Sequence, residues 1–469
     1  MKLTLDYNNN IEMLKSKIGK GKSYDVINRN VKFGNKNASL FFIDGFVKDE
    51  SLQNLIQTLS VFKSQDVSNA KTAKDIILTS IQAIEVSEEY DVNNILKAVL
   101  SGQTAMIVEG IEACILIDYR TYPSRGPEEP DKERTLRGSR DGFVETIVFN
   151  SALIRRRIRD PDLIFEMITV GKQSKTDVAI AYIENRVEKK ALNLIKEHLN
   201  KIEVDSLTLG NQSLIECLNK KYWYNPMPKV RFTERPDVTS SHLLEGKIVL
   251  LVDNNPYAML LPTSIFDFLQ DVDDYYSPII TGNYLRFLRN IILLITLFIT
   301  PIYLLMIQNP DSLPEALKFL LPSEPYNVPV LLQFFILEFA IDGLRLASLN
   351  TPTSLSMSLS VVGALILGEY TVSAGWFIPQ TILYMAVVAL ASFTQKSIEL
   401  SYGIKFFRMF LLITTALFDG IGLIIGSILC FLMLCFTKTF TGEPYLYPLI
   451  PFNLKDLIHV LFRTKKKSD

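Results

Sequence analysis

Long apolar segments fill the last 185 residues of this 469-residue chain and limit what that part can fold into. From Leu285 onward the chain carries 13 basic and 11 acidic side chains, about half the density of charge in the 284 residues before it. A bilayer core about 30 Å thick needs about 20 helical residues of apolar character. Segments of about that length are predicted to span a membrane: residues 285–307, 328–348, 355–376 and 377–393.

The last apolar run, residues 406–436, is too long for one span and too short for two. Asp419 and Gly420 interrupt its middle, and non-helical backbone at membrane depth needs protein or water around it. We therefore predict a re-entrant hairpin, with two short spans as the alternative. The predicted fold class is α+β: two related α/β cytoplasmic subdomains followed by an all-α polytopic membrane domain of four spans plus the hairpin, or of six spans.

Basic residues near the span ends predict the orientation, because positively charged loops stay on the cytoplasmic side of a membrane. This rule places both termini in the cytoplasm, with a transmembrane domain at residues 285–437 and a C-terminal tail at 438–469. The basic clusters are Arg286 with Arg289, Lys396 with Lys405 and Arg408, and Arg463 with Lys465, Lys466 and Lys467.

The second predicted span carries three charges on one helix face. Glu338, Asp342 and Arg345 follow each other at i, i+4 and i+7, which places them on the same side of a helix. Charges at that depth are costly and usually face a bundle interior or a water-filled path. The spacing leaves three interpretations open: the lining of an ion conduit, a salt bridge of Asp342 with Arg345 or with a neighbouring chain, and a substrate pocket.

The N-terminal half contains a weak internal duplication. Residues 39–56 and 177–195 each have the pattern of a strand, a polar turn and an amphipathic helix. Residues 91–117 and 237–261 each have a helix beginning at an Asp-Val pair, a glycine stop and two apolar strands. The offsets between the two pairs nearly agree, which indicates two related subdomains.

The predicted domain boundaries follow from this duplication. Residues 1–32 are predicted to form a polar tail, residues 33–160 the first subdomain and residues 161–280 the second. The second copy contains a helix with one apolar stripe that we expect to pack on a sheet. The stripe consists of Val187, Ala191, Ile195 and Leu199.

Composition and motifs exclude several classes of protein. A net charge of −1 argues against binding to nucleic acid phosphates, and the four cysteines and three histidines lack zinc-ligand spacing. The segment Gly21-Lys22-Ser23 has the end of a phosphate-binding loop, but Ser16 stands where the first glycine is needed. We predict no enzyme activity, no cofactor and no metal. Because the N-terminus lacks an apolar signal segment, the N-terminal half is expected in the cytoplasm.

The segment between the two copies, residues 124–160, is the most densely charged part of the chain. A helix is predicted to begin near Asp141 and to end in an arginine run that suits the helix dipole. Arginine forms two-pronged pairs with carboxylates, so we interpret the segment as a charge network between domains or subunits. A solvated face, or a site for anionic lipid headgroups or nucleic acid, is the alternative. The candidate residues are Glu128, Glu129, Arg137, Arg140, Glu145, Arg155, Arg156 and Arg157.

Four motifs in the chain resemble those of one known family, the A subunits of spore germinant receptors. The resemblance extends over residues 35–462, and the SRDGF form of the first motif is most similar to the branch of stage V sporulation protein AF. The motifs are Glu129-Pro130 with RGSRDGF at 137–143 and the arginine run at 155–157, TERPD at 233–237 with LLEG at 243–246, Pro352, and Pro448 with PFN at 451–453.

The resemblance implies a multi-pass protein of the inner membrane of the forming spore, active in germination, when small ions are released. Family A subunits are thought to form homo-oligomeric ion conduits together with a transporter-like B-type membrane subunit and often a lipoprotein subunit. Membrane lipid and further copies of the chain are then the expected contacts, with no nucleic acid. The leading hypothesis is an oligomeric channel lined by the charged face; a secondary transporter and a non-conducting scaffold or sensor are the alternatives.

Overall fold

The structure is a computed structural model that describes residues 2–61, 72–81, 83, 85–121, 133, 135, 137–207, 210–218, 225–322, 326–350 and 371–463. The chain forms two compact units. The first comprises Met1–Lys221 and Val230–Thr263, and the second comprises Tyr222–Lys229 and Ser264–Asp469.

The first unit contains two five-stranded antiparallel sheets with the same strand order. The strands of the first sheet lie in the order β1-β2-β4-β5-β3, and those of the second in the order β6-β7-β9-β10-β8. Their bounds are β1 Val26–Phe33, β2 Lys36–Ile43, β3 Val86–Glu89, β4 Thr104–Val108, β5 Cys114–Ile117, β6 Leu163–Val170, β7 Thr176–Ile183, β8 Arg231–Thr233, β9 Ile248–Val252 and β10 Ala258–Leu261.

Eight helices of the first unit occupy matching places in the two copies. Each copy begins with a helix and two strands, continues with two helices, a strand and a helix, and ends with two strands. The predicted duplication is therefore present in the fold of the first unit. The helices are α1 Tyr7–Lys17, α2 Asp49–Val61, α3 Ala73–Ser80, α4 Val92–Leu100, α5 Ile147–Arg157, α6 Lys189–Asn200, α7 Asn211–Leu218 and α8 Pro236–Leu244.

The N-terminal residues form part of the first sheet, so the predicted polar tail at 1–32 is wrong. Leu14 and Ile18 are buried at the end of α1, and β1 pairs with β2 along its full length. The sequence analysis did not predict β1, because its many polar residues resemble a tail. They are those of an edge strand with one face exposed to solvent. The first copy therefore begins near residue 7.

Local sequence signals explain several helix ends of the first unit. Asp91 caps α4 by accepting the backbone N–H of Asn93 at 2.8 Å, and Pro236 occupies the first turn of α8. The predicted stripe on α6 is buried as expected, with Val187, Ala191, Ile195 and Leu199 all under one tenth exposed.

The second unit is helical. Its helices are α9 Ile265–Leu269, α10 Val272–Tyr276, α11 Ile279–Gln308, α12 Val330–Asn350, α13 Pro379–Ser392, α14 Ile398–Phe436 and α15 Leu454–Leu461, with single turns at Pro310–Ser312, Glu315–Leu320 and Thr371–Ser373.

Two helices among the described residues, α11 and α14, are long and apolar enough to cross a membrane, and α13 is a shorter apolar helix. Helices thus occupy the predicted segments 285–307, 328–348 and 377–393. The predicted segment 355–376 lies almost entirely outside the described residues. Many large apolar side chains of α11 and α14 are exposed, such as Leu294 at 54% and Ile421 at 69%, as expected for a surface that faces lipid.

Helix α14 is a hairpin of two antiparallel arms. Its backbone leaves the helical region at Phe418 and at Asp419, whose φ is 50°. A methyl group at Gly422 would lie 1.9 Å from the carbonyl oxygen of Thr414, and one at Gly426 would lie 3.0 Å from Leu411. At 1.5 Å per residue the arms, residues 398–417 and 420–436, are about 30 and 25 Å long. The reversal near Asp419 is common to the predicted re-entrant hairpin and to its alternative, and arms of this length fit the two short spans of that alternative.

The hairpin leads to a direct prediction. Gly422→Ala places a methyl group against backbone that cannot move aside, so we expect the thermal unfolding midpoint of the full-length protein in detergent to fall, at a cost of about 1–3 kcal/mol. Gly420→Ala is the matched control, because its nearest neighbour would be 3.9 Å away and alanine favours a helix by about 1 kcal/mol over glycine. Equal midpoints for the two variants would contradict the close approach of the arms.

The contacts between helices of the second unit fix their directions. At one end, which we call the Ile279 end, Lys396 lies 3.5 Å from Asp271. At the other, the Gln308 end, the Gln308 side chain donates to the backbone oxygen of Ala416 at 3.2 Å. Helix α12 and the first arm of α14 run antiparallel, since Glu338 pairs with Arg408 and Asp342 pairs with Lys405. Helix α13 runs parallel to α12, since Ile378 contacts Gln333 and Ser392 contacts Arg345.

Candidate functional site

A cluster of five charged side chains lies in the middle of the second unit. Two of its members, Lys405 and Arg408, come from the first arm of α14, and three, Glu338, Asp342 and Arg345, come from α12. We call these five residues the charged cluster. Arg408 lies about 15 Å from each end of its arm at 1.5 Å per residue, whereas Arg345 lies about 8 Å from the end of α12. The cluster therefore extends from mid-depth toward the Ile279 end.

Glu338 is the centre of the cluster. Arg408 Nε donates to Glu338 Oε1 at 2.7 Å, and Arg408 Nη2 bonds to the same oxygen. A third bond runs from Arg408 Nη1 to the backbone oxygen of Thr296 in α11 at 3.1 Å. Glu338 and Arg408 are each 3% exposed. This pair therefore ties three helices together in an environment where an unpaired charge would be costly.

Lys405 connects the two carboxylates of the cluster. Its Nζ lies 3.3 Å from Glu338 Oε2 and forms an ion pair with Asp342. The Asp342 side chain is 27% exposed against 4% for Glu338. Asp342 is thus the acidic group of the cluster that water reaches more easily.

Arg345 lies at the edge of the cluster. Its Nη2 donates to Ser392 Oγ at 3.0 Å, and its guanidinium lies 5.4 Å from the ring centre of Phe393 and 5.7 Å from that of Tyr402. Asp342, for which the sequence offered Arg345 or a neighbouring chain as a partner, forms an ion pair with Lys405.

A small cavity lies within the cluster. Its volume is about 30 Å³, enough for one or two water molecules, since a water needs at least about 10–15 Å³ of this kind of space. All five members of the charged cluster line it, together with hydroxyl groups of Ser392, Ser401 and Tyr402. Apolar residues, among them Ile341, Met385 and Val388, complete the lining, and the charged groups supply the polar partners that a water molecule needs.

The sequence predicted the three members on α12 and missed the two on α14. In the sequence, Lys405 and Arg408 resemble the positively charged flank of a span, because they stand at the start of the apolar run at residues 406–436. The helix begins at Ile398, which moves both residues into its interior. Their spacing of three residues on one helix face was the available signal.

A second charge network lies in the first unit and centres on Arg155. This side chain is 0% exposed. It forms a two-pronged pair with Asp25, with bonds of 2.9 and 3.1 Å. It also donates to the backbone oxygens of Asp160 at 3.1 Å and Leu163 at 3.0 Å. Because Asp25 precedes the first sheet and Leu163 begins the second, Arg155 joins the two copies.

Ser23 completes this junction. Its hydroxyl donates to Asp25 and accepts the backbone N–H of Phe165 at 2.9 Å. The neighbouring Tyr24 donates its backbone N–H to Phe165 O at 2.9 Å. The segment that resembled a phosphate-binding loop in the sequence therefore has a structural role.

The two most distinctive sequence motifs contact each other. Arg235 is buried and forms a two-pronged pair with Asp237, with bonds of 3.1 and 2.8 Å. It also reaches the backbone oxygens of Glu133 at 3.1 Å and Ser139 at 2.9 Å. Thr233 donates to the Glu133 carboxylate at 2.6 Å. Burial raises the pKa of Glu133, and the nearby Arg231 offsets only part of that rise.

Arg157 holds the loop between these motifs. Its Nη2 lies 2.7 Å from both Asp141 Oδ2 and Ser139 Oγ. Burial raises the pKa of Asp141, but the bonds from Ser139 and Arg157 outweigh it and hold the pKa below its usual value of 3.8. The prediction that Asp141 caps the helix is wrong: α5 begins at Ile147 after Thr146, because Asp141 pairs with the arginine at the other end of that helix.

The remaining members of the predicted network lie on the surface or outside the described residues. Glu128 and Glu129 fall outside the described residues. The side chains of Arg137, Arg140, Glu145 and Arg156 are exposed. The sequence analysis did not include Asp25 and Glu133 in the network, because their partners lie 130 and 100 residues away and cannot be matched from spacing alone. Arg235 and Asp237 are two residues apart within the TERPD motif, but the motif alone did not indicate that they pair. Within the described ranges, no three His, Cys, Asp or Glu side chains are arranged to hold a metal ion.

Comparison with known proteins gives consistent matches along the chain. The sequence model of the family described as Bacillus/Clostridium GerA spore germination protein matches residues 12–468. Stage V sporulation protein AF of Bacillus subtilis (strain 168) is 37% identical over 97% of this chain and 92% of its own length. Spore germination protein KA of the same organism is 29% identical over 96% of this chain and 83% of its own length.

One solved structure is also similar. It is the crystal structure of the N-terminal domain of the A subunit of the Bacillus megaterium spore germinant receptor GerK3, which is 28% identical. The match covers 56% of this chain and 96% of that domain, with a TM-score of 0.43.

Proposed function

The chain belongs to the Bacillus/Clostridium GerA spore germination protein family, and on this premise we propose that it is a subunit of an oligomeric membrane assembly that releases small ions during germination. The family and the similarity to stage V sporulation protein AF confirm the resemblance found in the sequence. In this proposal the protein lies in the inner membrane of the forming spore, beside a transporter-like B-type subunit and a lipoprotein subunit.

We propose six membrane crossings with both termini in the cytoplasm. The helices that support this are α11, α12, α13 and the two arms of α14. Asn350 ends α12 at the Ile279 end, whereas Gly375 lies at the Gln308 end, 3.1 Å from Asn327. The sixth crossing is the span that the sequence predicts at residues 355–376. Basic residues concentrate at the Ile279 end, which favours a cytoplasmic location for it. They are Arg286, Arg289, Lys396 and Arg463.

The charged cluster carries the proposal of ion passage. Five ionisable side chains inside a bundle that faces lipid are expensive to bury, and such groups usually mark ion or substrate pathways. The cavity of about 30 Å³ that they line has room for water. Copies of the chain around an axis would present several such clusters to a shared path. Asp342 is the carboxylate we expect to face the passing ion, because it is the more exposed of the two.

One observation favours a second candidate function. Four members of the cluster form ion pairs within a single chain: Glu338, Asp342, Lys405 and Arg408. The cluster therefore needs no neighbouring copy of the chain to pair these charges. A non-conducting scaffold whose first unit docks the partner subunits would need no more than this. The two functions differ in whether the cluster affects ion flux.

Asp342→Asn is expected to change ion flux by about fivefold or more in vesicles loaded with potassium chloride that contain the full-length protein, with and without its co-expressed partner. The reason is that losing one carboxylate beside Lys405 changes the local energy by at least about 1 kcal/mol, a factor of about five. The control is Asp311→Asn, the same chemical change at an exposed position near the Gln308 end. Wild-type flux in a folded Asp342→Asn protein would favour the scaffold, and saturable uptake by a purified monomer would favour a transporter.

A further inference from the structure

The C-terminal segment, residues 452–463, presents an unusually apolar face. Phe452 is 66% exposed, Leu454 58%, Ile458 44% and Phe462 54%. The last three recur every four residues along α15 and its end, so they form one stripe. Asn453 caps this helix by accepting the backbone N–H of Asp456 at 3.3 Å. The stripe is thus held in a formed helix with its apolar side chains outward.

The segment is fixed at the Ile279 end of the second unit. The backbone N–H of Arg463 donates to Asn283 Oδ1 at 2.6 Å, and the Arg463 side chain donates to the backbone oxygen of Asp274 at 2.9 Å. Arg286 in turn donates to the backbone oxygen of Val460 at 2.9 Å. Helix α15 is therefore anchored beside the first turns of α11, at one end of the apolar bundle.

The exposed stripe lies at the same end as a band of exposed apolar residues on α11. Ile280 is 85% exposed, Tyr284 61% and Phe287 63%. An aromatic and apolar band at the end of a long apolar helix is typical of a membrane interface. The two surfaces are thus positioned to meet the same boundary between lipid and water.

The basic residues near the apolar stripe indicate which kind of surface the stripe binds. Lys455 and His459 are exposed on the neighbouring face of α15, and Arg463 is followed in the sequence by Lys465, Lys466 and Lys467. An amphipathic helix beside a polybasic segment binds anionic lipid surfaces through apolar insertion and headgroup attraction.

We infer that the C-terminal segment is an interfacial anchor that inserts its apolar stripe into the membrane and binds anionic lipid headgroups on the side where α11 begins. This inference rests on the proposed membrane location, but it does not depend on ion passage. Ordering α15 at the surface would also hold the base of α11 through Asn283 and Arg286.

Spin labels on two neighbouring residues test the insertion. The full-length protein, with its four cysteines replaced by alanine, carries a label at Leu454→Cys or at Lys455→Cys in nanodiscs containing phosphatidylglycerol. We expect the label at 454 to be several-fold more accessible to oxygen than to a water-soluble nickel chelate, and the label at 455 to show the reverse. Equal access of nickel chelate to both labels would overturn the inference, as would protection of the label at 454 only when the partner subunit is present.

Lipid selectivity gives a second measurement that keeps the native cysteines. Spin-labelled phosphatidylglycerol is expected to associate with the protein more strongly than spin-labelled phosphatidylcholine, and salt should weaken that preference. Each of Lys465→Gln, Lys466→Gln and Lys467→Gln should reduce the preference up to about fivefold, the factor that corresponds to about 1 kcal/mol per basic residue near the surface. An unchanged preference in the triple variant would overturn the headgroup part of the inference, whatever the result for ion flux.

Discussion

Replacing Arg155 with methionine is expected to cost the first unit about 3–5 kcal/mol of its unfolding free energy. The substitution removes two-pronged bonds to Asp25 and bonds to two backbone oxygens, and it leaves the Asp25 carboxylate buried without its cation. A domain is stable by only about 5–15 kcal/mol. The variant should therefore lose much of its folded population at growth temperature.

Hydrogen exchange and thermal unfolding of the full-length protein in detergent check this result. Exchange should increase first in β1 and β6, because Arg155 joins the segments that lead into them. The matched control is Arg156→Met on the exposed side of the same helix, where the loss of a solvent-exposed charge interaction usually costs about 1 kcal/mol or less. Wild-type unfolding of Arg155→Met would show that the junction does not depend on this pair.

A double variant distinguishes the loss of the ion pair from the loss of side-chain packing. Asp25→Asn combined with Arg155→Met removes the buried carboxylate that the single variant leaves unpaired. We expect the double variant to recover part of the lost stability, since an unpaired buried charge costs more than a missing pair. If the double variant were less stable than either single variant, the loss would come from packing around Phe165, which lies 5.1 Å from the Arg155 guanidinium.

Periodic features of the first unit could be predicted from the sequence, whereas its ion pairs could not. The helix starts at Asp91 and the stripe on α6 follow from local rules that act over a few residues. The arginine run was interpreted as part of a charge network between domains or subunits, but nothing local distinguishes buried Arg155 from exposed Arg156. That distinction depends on Asp25, 130 residues away.

The second unit shows a related limit. Glu338 and Asp342 stood out because charges are rare in apolar helices. Lys405 and Arg408 did not, because hydropathy rises only after residue 405 while the helix begins at Ile398. Basic residues inside a helix but near the start of its apolar run resemble the positively charged flank of a span. Composition therefore places them outside the membrane-spanning helix, whereas they lie within it.

The strongest effect in the second unit is expected from Glu338→Gln. The amide removes the negative charge between Arg408 and Lys405, and it leaves a 3% exposed guanidinium without its carboxylate. Breaking a buried pair from one side costs about 3–5 kcal/mol. We expect little folded protein in detergent, measured by size-exclusion profile and thermal unfolding, whereas Asp342→Asn should be milder because Lys405 keeps Glu338 within 3.3 Å.

The double variant Glu338→Gln with Arg408→Met removes both charges and should restore much of the folded yield, because neutral replacements of a buried pair are often tolerated. This variant also separates the effect of the buried pair on folding from its effect on ion flux. Lost flux in a folded double variant would mean that ions need the buried pair itself. Unchanged flux would limit the proposed route to Asp342, Lys405 and Arg345, the members of the cluster around the more exposed carboxylate. Equal stability of the single variant and the wild type would contradict the central place of Glu338, because no other carboxylate contacts Arg408 among the described ion pairs.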